Sequence, residues 1–312
     1  MDNTSVKHLQ ELPQFPKFKS IHKDDMLWFS DFIGKYPPYS DFNFYSFYSW
    51  DTDSKHQVSQ YNGNLVLRFA DYVTGELCFS ILGSCDIDRS IEGVLALAEQ
   101  YRIKPILKLV PEATMNALRD ESQFSVTEDV DNFDYIFSLK NLAELQGKQY
   151  KSKRRSANKC SELFDITISD ASNDLQIEET IIQFLKKWEN SKIKNGKEVD
   201  MYHELKAISR ILHVLPKQDT LRLTVATYKN IVVGFSIDEL LPSKYVMSHY
   251  CKALPEITGL SDYLNQEVAK ILYKAGYHKW NWEQDLGIES LRTMKLSHRP
   301  IEKLKKYIVS KN

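Results

Sequence analysis

One order of elements occurs twice along this chain, and the repetition limits the possible folds more than any single motif. In the first half, residues 65–70 and 76–82 read as paired strands around Asp71-Tyr-Val-Thr-Gly75. Asp88 can cap a helix whose Ile91, Val94, Leu95 and Ala98 follow helical spacing. A short strand over 106–110 comes next, Pro111 suits the first turn of another helix, and strands near 124–126 and 135–138 close the half. The second half runs the same way. Residues 221–227 alternate Leu221, Leu223 and Val225 with Arg222, Thr224 and Ala226. Lys229-Asn230 turns the chain into a strand over 231–240, and Pro242-Ser243 turns it again into 245–253. A helix over 261–275 sets Leu264, Val268, Ile271, Leu272 and Ala275 on one face. A strand over 278–282, a helix over 286–296 and a last strand over 304–309 follow. The expectation is an α/β (α+β) chain of two similar mixed-sheet units, residues 1–145 and 146–312, joined near Gln146. A length of 312 residues accommodates two domains of ordinary size.

Composition narrows the class of function. The chain is 42% hydrophobic and 27% charged, an ordinary globular balance, and its net charge of −1 makes it no general glue for DNA or anionic lipid. Binding of a polyanion would need a local patch. The four cysteines (Cys78, Cys85, Cys160 and Cys251) show no zinc-ligand spacing and read as reduced thiols. Met1-Asp-Asn-Thr-Ser-Val-Lys-His8 lacks the apolar stretch of a secretion signal, and no apolar run approaches the ~20 residues that span a bilayer. A cytoplasmic location is therefore expected. No Gly-x-Ser-x-Gly elbow or P-loop is present, so hydrolase and nucleotide-hydrolysing readings have no motif.

The densest chemistry lies in Asn281-Trp-Glu-Gln-Asp-Leu-Gly-Ile-Glu-Ser-Leu-Arg-Thr-Met-Lys-Leu-Ser-His-Arg-Pro300. Trp280 and Trp282 alternate with polar residues as in a strand, so Glu283 and Asp285 are expected to leave one face together. Past Gly287, Leu291, Met294 and Leu296 would pack inward, while Arg292 and Lys295 share a face at i,i+3. Acids leaving a strand beside basic groups on the next helix suit a polar, partly charged substrate. The competing reading makes Asp285 a helix cap and leaves Arg292 and Lys295 in solvent.

This stretch resembles the signature of bacterial proteins similar to the C-terminal catalytic domain of phosphatidylglycerol lysyltransferases. Three other segments resemble the same family: Asp41-Phe-Asn-Phe-Tyr-Ser-Phe-Tyr-Ser-Trp50, Gly147-Lys-Gln-Tyr-Lys-Ser-Lys-Arg-Arg-Ser-Ala-Asn158 and Gly259-Leu-Ser-Asp-Tyr-Leu-Asn-Gln-Glu267. The resemblance implies a tandem GNAT-like acyltransferase fold, whose order of strand meander, helix, strand, helix, strand is the one read above. It implies transfer of an aminoacyl group from an aminoacyl-tRNA or another phosphate-bearing donor to a small-molecule, lipid-headgroup or peptide acceptor. Such a transfer needs positioning and a proton acceptor, with no metal and no cofactor. Glu283 and Asp285 would be catalytic. Lys153, Arg154, Asn158, Gly259, Tyr263, Asn265, Arg292, Lys295 and His298 would bind substrate. The sequence departs from the family at Arg155, where Asn is usual, and at His298, where Tyr is common.

Several features carry two readings. The aromatic run from Trp28 to Trp50 can line a ligand pocket or build core. The basic run from Lys148 to Lys159 contains no acid and can neutralise phosphates of an RNA acceptor stem, a nucleotide or a lipid headgroup, or lie solvated. Gly259 can bring a phosphate to helix amides or simply turn the chain. Glu256 stands where a coenzyme A site would have a basic or amide residue, so the pattern does not support coenzyme A. His203, His213 and His249 are scattered and read as packing or surface. Two further functions compete with aminoacyl transfer: an acyl-coenzyme A-dependent N-acyltransferase, and a non-catalytic ligand-binding protein of the same fold.

Overall fold

The computed structural model describes residues 12–194 and 201–312; the segment 1–8 considered above lies outside them. In chain order the strands of the first half are β1 (Lys19–Ser20), β2 (Gln57–Tyr61), β3 (Asn64–Ala70), β4 (Leu77–Leu82), β5 (Ile106–Pro111), β6 (Phe124–Glu128) and β7 (Asp134–Ser138). Those of the second are β8 (Ile166–Asp170), β9 (Leu221–Tyr228), β10 (Ile231–Leu240), β11 (Tyr245–Ala253), β12 (Lys279–Asn281), β13 (Glu302–Leu304) and β14 (Lys306–Lys311). The helices are α1 (Met26–Ile33), α2 (Phe44–Ser49), α3 (Ile87–Gln100), α4 (Glu112–Met115) and α5 (Leu139–Glu144), then α6 (Lys151–Leu163), α7 (Ile177–Lys194), α8 (Tyr202–Val214), α9 (Leu260–Lys274) and α10 (Glu289–Ser297).

Two seven-stranded mixed sheets result, ordered β1-β2-β3-β4-β5-β14-β6 and β13-β7-β12-β11-β10-β9-β8. Each contains an antiparallel meander (β2-β3-β4 and β9-β10-β11) followed by a parallel step, β4 to β5 or β11 to β12. This is the GNAT-like order, present twice, as the element pattern implied. None of the helices among the described residues is long and apolar enough to cross a membrane.

The path of the chain differs from the expectation at two strands. The strand near 135–138 was expected to close the first half, and that near 304–309 the second. Instead β7 lies in the second sheet, where Ser138, Phe137 and Ile136 pair with Lys279, Trp280 and Asn281. Strand β14 lies in the first, antiparallel to both β5 and β6. Compact units follow this exchange: one comprises Met1–Asp134, Gln284–Arg292 and Lys303–Asn312, the other Tyr135–Glu283 and Thr293–Glu302. The cause in the first unit is visible in β14 itself. Val309 is fully buried among Phe79, Ile91, Val94 and Leu107, and Lys306 is buried against acids that only this unit supplies.

The first unit's core rests on α3. Ile87, Ile91, Val94, Leu95 and Ala98 recur on one helical face, and each is at most 3% exposed. Each large apolar side chain removed from water there contributes about 1.5–3 kcal/mol. Asp88 is not the cap: Asp86 occupies that position, while the Asp88 carboxylate accepts the backbone N–H groups of Arg119 and Asp120. The aromatic run is core: Phe29, Phe42, Phe44, Tyr45 and Phe47 are almost wholly buried, and Phe29, Phe44, Tyr45 and Phe47 pack edge to face or stacked.

Beneath it sits a buried polar cluster. The Lys306 ammonium touches Asp41, donates to Asp134 at 2.8 Å and to Gln284 at 3.0 Å, and Ser40 donates to Asp134 at 2.6 Å. Burial pushes Asp41 up to about 6 despite the neighbouring Lys306.

In the second unit α9 buries Leu260, Leu264, Val268 and Leu272, an i,i+4 stripe. Ile271, expected on that face, is 47% exposed, because the stripe runs one position to its side.

Candidate functional site

The second sheet parts at its parallel step. Tyr245, Val246 and Met247 pair with Lys279, Trp280 and Asn281, after which β11 continues to Ala253 while β12 has ended. At this point β11 carries an extra residue. Ile237 faces Tyr250 and Asp238 faces Ser248, so His249 is the bulged residue of the β10–β11 ladder. Bulges re-aim a side chain, and this one aims an imidazole between two carboxylates. His249 Nε2 lies 3.3 Å from Glu239 and Nδ1 lies 3.4 Å from Glu283. Burial would pull the imidazole pKa down, but hydrogen bonds and charge from Glu239 and Glu283 raise it to about 9. At neutral pH the imidazole therefore favours its protonated, cationic form. Glu283, at 21% side-chain exposure, is the member of the three most open to solvent. Next to it, Asp238 accepts from Ser236 at 2.6 Å and from Trp280 at 2.9 Å, and burial pushes it up to about 6.

Glu283 does not leave a strand in step with Asp285. Its φ is +57°, in the left-handed region, and its N–H is held by Asn281 Oδ1 at 2.7 Å. Glu283 therefore departs from strand geometry, and the strand alternation behind the expectation of one shared face ends there. Asp285 is fully buried in the first unit. It takes two hydrogen bonds from Arg292, at 2.9 and 2.7 Å, and one from the N–H of Gly287 at 2.9 Å. Arg292 also donates to Asp131 at 2.6 Å. Gly287 takes φ +73°, a conformation that L side chains rarely adopt, and a Cβ there would displace the Asp131 carboxylate, 2.9 Å away. The bidentate pair of Asp285 and Arg292 ties the turn to the helix that follows it.

The helix that follows is turned over relative to its expected orientation. Met294 and Leu296 are 36% and 44% exposed, while Lys295 and His298 are buried. The Lys295 ammonium donates to the carbonyls of Trp282 at 2.5 Å and Glu283 at 3.1 Å, which fixes the left-handed turn at Glu283. His298 packs its ring edge-on to Trp282 and holds Asp262 at 3.2 Å. Burial alone would raise Asp262, yet His298, Ser156 and Lys153 bring it to about 2. Arg292, Lys295 and His298 each have partners within their own unit, and Arg292 keeps 28% of its side chain exposed.

The same holds at the start of α6 and α9. Lys153 pairs with Asp262 at 3.1 Å, and the Arg154 guanidinium donates to the carbonyls of Leu145 and Gly147. Both are half-buried and have partners within the second unit. Gly259, at φ +81°, begins α9 with the Ser156 carbonyl pressed against it; a Cβ would sit 2.1 Å from that oxygen. Gly259 is thus the residue that lets α6 and the start of α9 approach this closely. Asn265 is buried, its Oδ1 accepting from Cys251 at 3.5 Å. Tyr263 is half-buried and Asn158 is exposed. Glu239 and His249 escaped sequence reading because their meeting depends on a bulge between two strands. The only local sign was an acid near the end of one strand and a histidine in the next.

Twice-repeated meander, parallel step and helix define a tandem GNAT-like transferase fold. The family model for phosphatidylglycerol lysyltransferase, C-terminal, matches residues 35–310, and the chain belongs to that family. Among solved structures, a conserved protein of unknown function from Bacteroides thetaiotaomicron is similar with 24% identity and a TM-score of 0.81, over 95% of this chain and 99% of its own. The L-PGS structure from Bacillus licheniformis is similar with 13% identity and a TM-score of 0.62, over 94% and 93%. At these identities the structures speak for the fold alone. No curated protein matches the chain by sequence.

Proposed function

We propose that the protein is an aminoacyltransferase acting in the cytoplasm, moving an aminoacyl group from an aminoacyl-tRNA to a small-molecule, lipid-headgroup or peptide acceptor. Family membership supports acyl transfer, and the observation that carries the local chemistry is the partly exposed Glu283 held by the buried His249 cation at the parting of β11 and β12. In this reading the acceptor hydroxyl or amine attacks the ester carbonyl and Glu283 takes its proton. The ester C–O bond then breaks, and the proton passes to the departing ribose oxygen, so Glu283 ends as it began. His249 and Lys295 are positioning residues, one holding the carboxylate and the other the backbone that bears it. Asp285 is a brace. An acyl-coenzyme A donor fits less well, because Glu256 puts a carboxylate before α9 where its pyrophosphate would sit.

The test is mass spectrometry of products formed from charged tRNA and cell extract. Glu283→Gln should leave the fold intact and cut transfer by ~10²–10⁴-fold, the loss expected for a missing general base. Asp285→Asn should instead act on stability, lowering it by about 1–3 kcal/mol through its bonds to Arg292. Full turnover by Glu283→Gln would remove the carboxylate from the mechanism.

A further inference from the structure

The basic run divides in the folded protein. Lys153 and Arg154 turn inward, while Lys148, Lys151, Arg155 and Lys159 are all exposed. Lys151, Arg155 and Lys159 recur every fourth residue and so form one stripe on α6, extended by Lys148 in the turn before it. None of these four enters an ion pair among the described residues. Their arrangement does not favour the helix. Its first turn holds no acid, and Lys151, Lys153 and Arg154 stand at the end where the dipole favours negative charge. In a chain of net charge −1, an acid-free row of this kind is a local exception.

We infer that this stripe grips the phosphate backbone of a helical RNA; the inference rests on the aminoacyl-tRNA reading and gives that partner a surface. Successive charges lie ~6 Å apart along the helix axis, so each can meet a different phosphate of one strand, where charges recur every ~3.4 Å of duplex axis. Backbone contacts of this type position a nucleic acid without reading its sequence, which suits a donor recognised by its stem. An anionic membrane is the competing polyanion. Helices that lie in a membrane surface set a row of large apolar side chains beside their basic ones. Here the neighbours of the stripe are Ser152, Asn158, Ser161 and Glu162, and the exposed apolar residue of α6 is Leu163, at its far end.

The experiment measures binding of a fluorescent, non-aminoacylated RNA hairpin to the full chain across a KCl series. Wild type is compared with Lys151→Ala/Arg155→Ala/Lys159→Ala and with Lys104→Ala/Lys217→Ala/Lys274→Ala, a control that removes the same charge from exposed positions elsewhere. Three lost phosphate contacts should flatten the slope of log K against log salt by roughly 2.7, so that a fourfold rise in salt weakens wild type ~40-fold more than the stripe variant. The control should keep the wild-type slope. An unchanged slope in the stripe variant, an equal loss in the control, or wild-type binding to phosphatidylglycerol vesicles with none to the hairpin would each overturn the inference. Transfer from charged tRNA by wild type, lost in Glu283→Gln, would leave the catalytic reading standing even then.

Discussion

His249→Gln removes the cation that lies between Glu239 and Glu283 while keeping a hydrogen-bonding side chain of similar reach. Two consequences follow from the geometry. At neutral pH two neighbouring carboxylates, one of them buried, lose their shared partner, and breaking such a pair costs about 3–5 kcal/mol. The second consequence concerns pH. A histidine raised from 6.5 to about 9 binds its proton more tightly in the folded state. Its stabilising contribution is complete below about 6.5 and is lost as pH rises through about 9. Each tenfold change in proton affinity is worth ~1.4 kcal/mol, so about 2.5 kcal/mol should vanish between pH 7 and pH 10. Urea unfolding followed by tryptophan fluorescence measures this, since the buried Trp280 and Trp282 lie in the same turn. Other alkaline titrations are common to both proteins, so the quantity of interest is the difference between them. The variant should be less stable than wild type at pH 7 and approach it by pH 10. An equal alkaline loss in both proteins would refute the assignment of His249 as a protonated bridge.

Two further outcomes test the scaffold. Lys306→Met leaves Asp41 and Asp134 facing one another in the first unit and should cost about 3–5 kcal/mol at neutral pH. Asp41 is already pushed up to about 6, so its contribution favours the folded state below about 3.8 and is lost through about 6; thermal unfolding should therefore show the penalty shrinking on acidification. A penalty that grows toward pH 5 would contradict the cluster. Gly259→Ala places a Cβ 2.1 Å from the Ser156 carbonyl at a positive φ and should lower stability by at least ~1–3 kcal/mol, read as a fall in Tm; an unchanged Tm would mean that α6 does not pack there.

The sequence alone determined the local elements and their repeated order. Strand β10 and β11 have the bounds read from their turns, because Lys229-Asn230 and Pro242-Ser243 act on neighbours in the chain. The face of α3 was equally legible, since Ile91, Val94, Leu95 and Ala98 record a 3.6-residue period directly. The family was legible too, from four segments that keep their residue types and order. What the tertiary structure decided is which groups meet. No periodicity tells β14 to enter the first sheet or β7 the second, because strand pairing over such separations depends on surfaces assembled elsewhere. The bulge at His249 and the left-handed turn at Glu283 likewise depend on partner strands, and they bring Glu239, His249 and Glu283 together while sending Asp285 to Arg292. Charged side chains were hardest to place. Lys153, Arg154 and Lys295 have the same chemistry as Lys151, Arg155 and Lys159, and only the fold determines which ammonium or guanidinium finds a buried acceptor and which is left facing water.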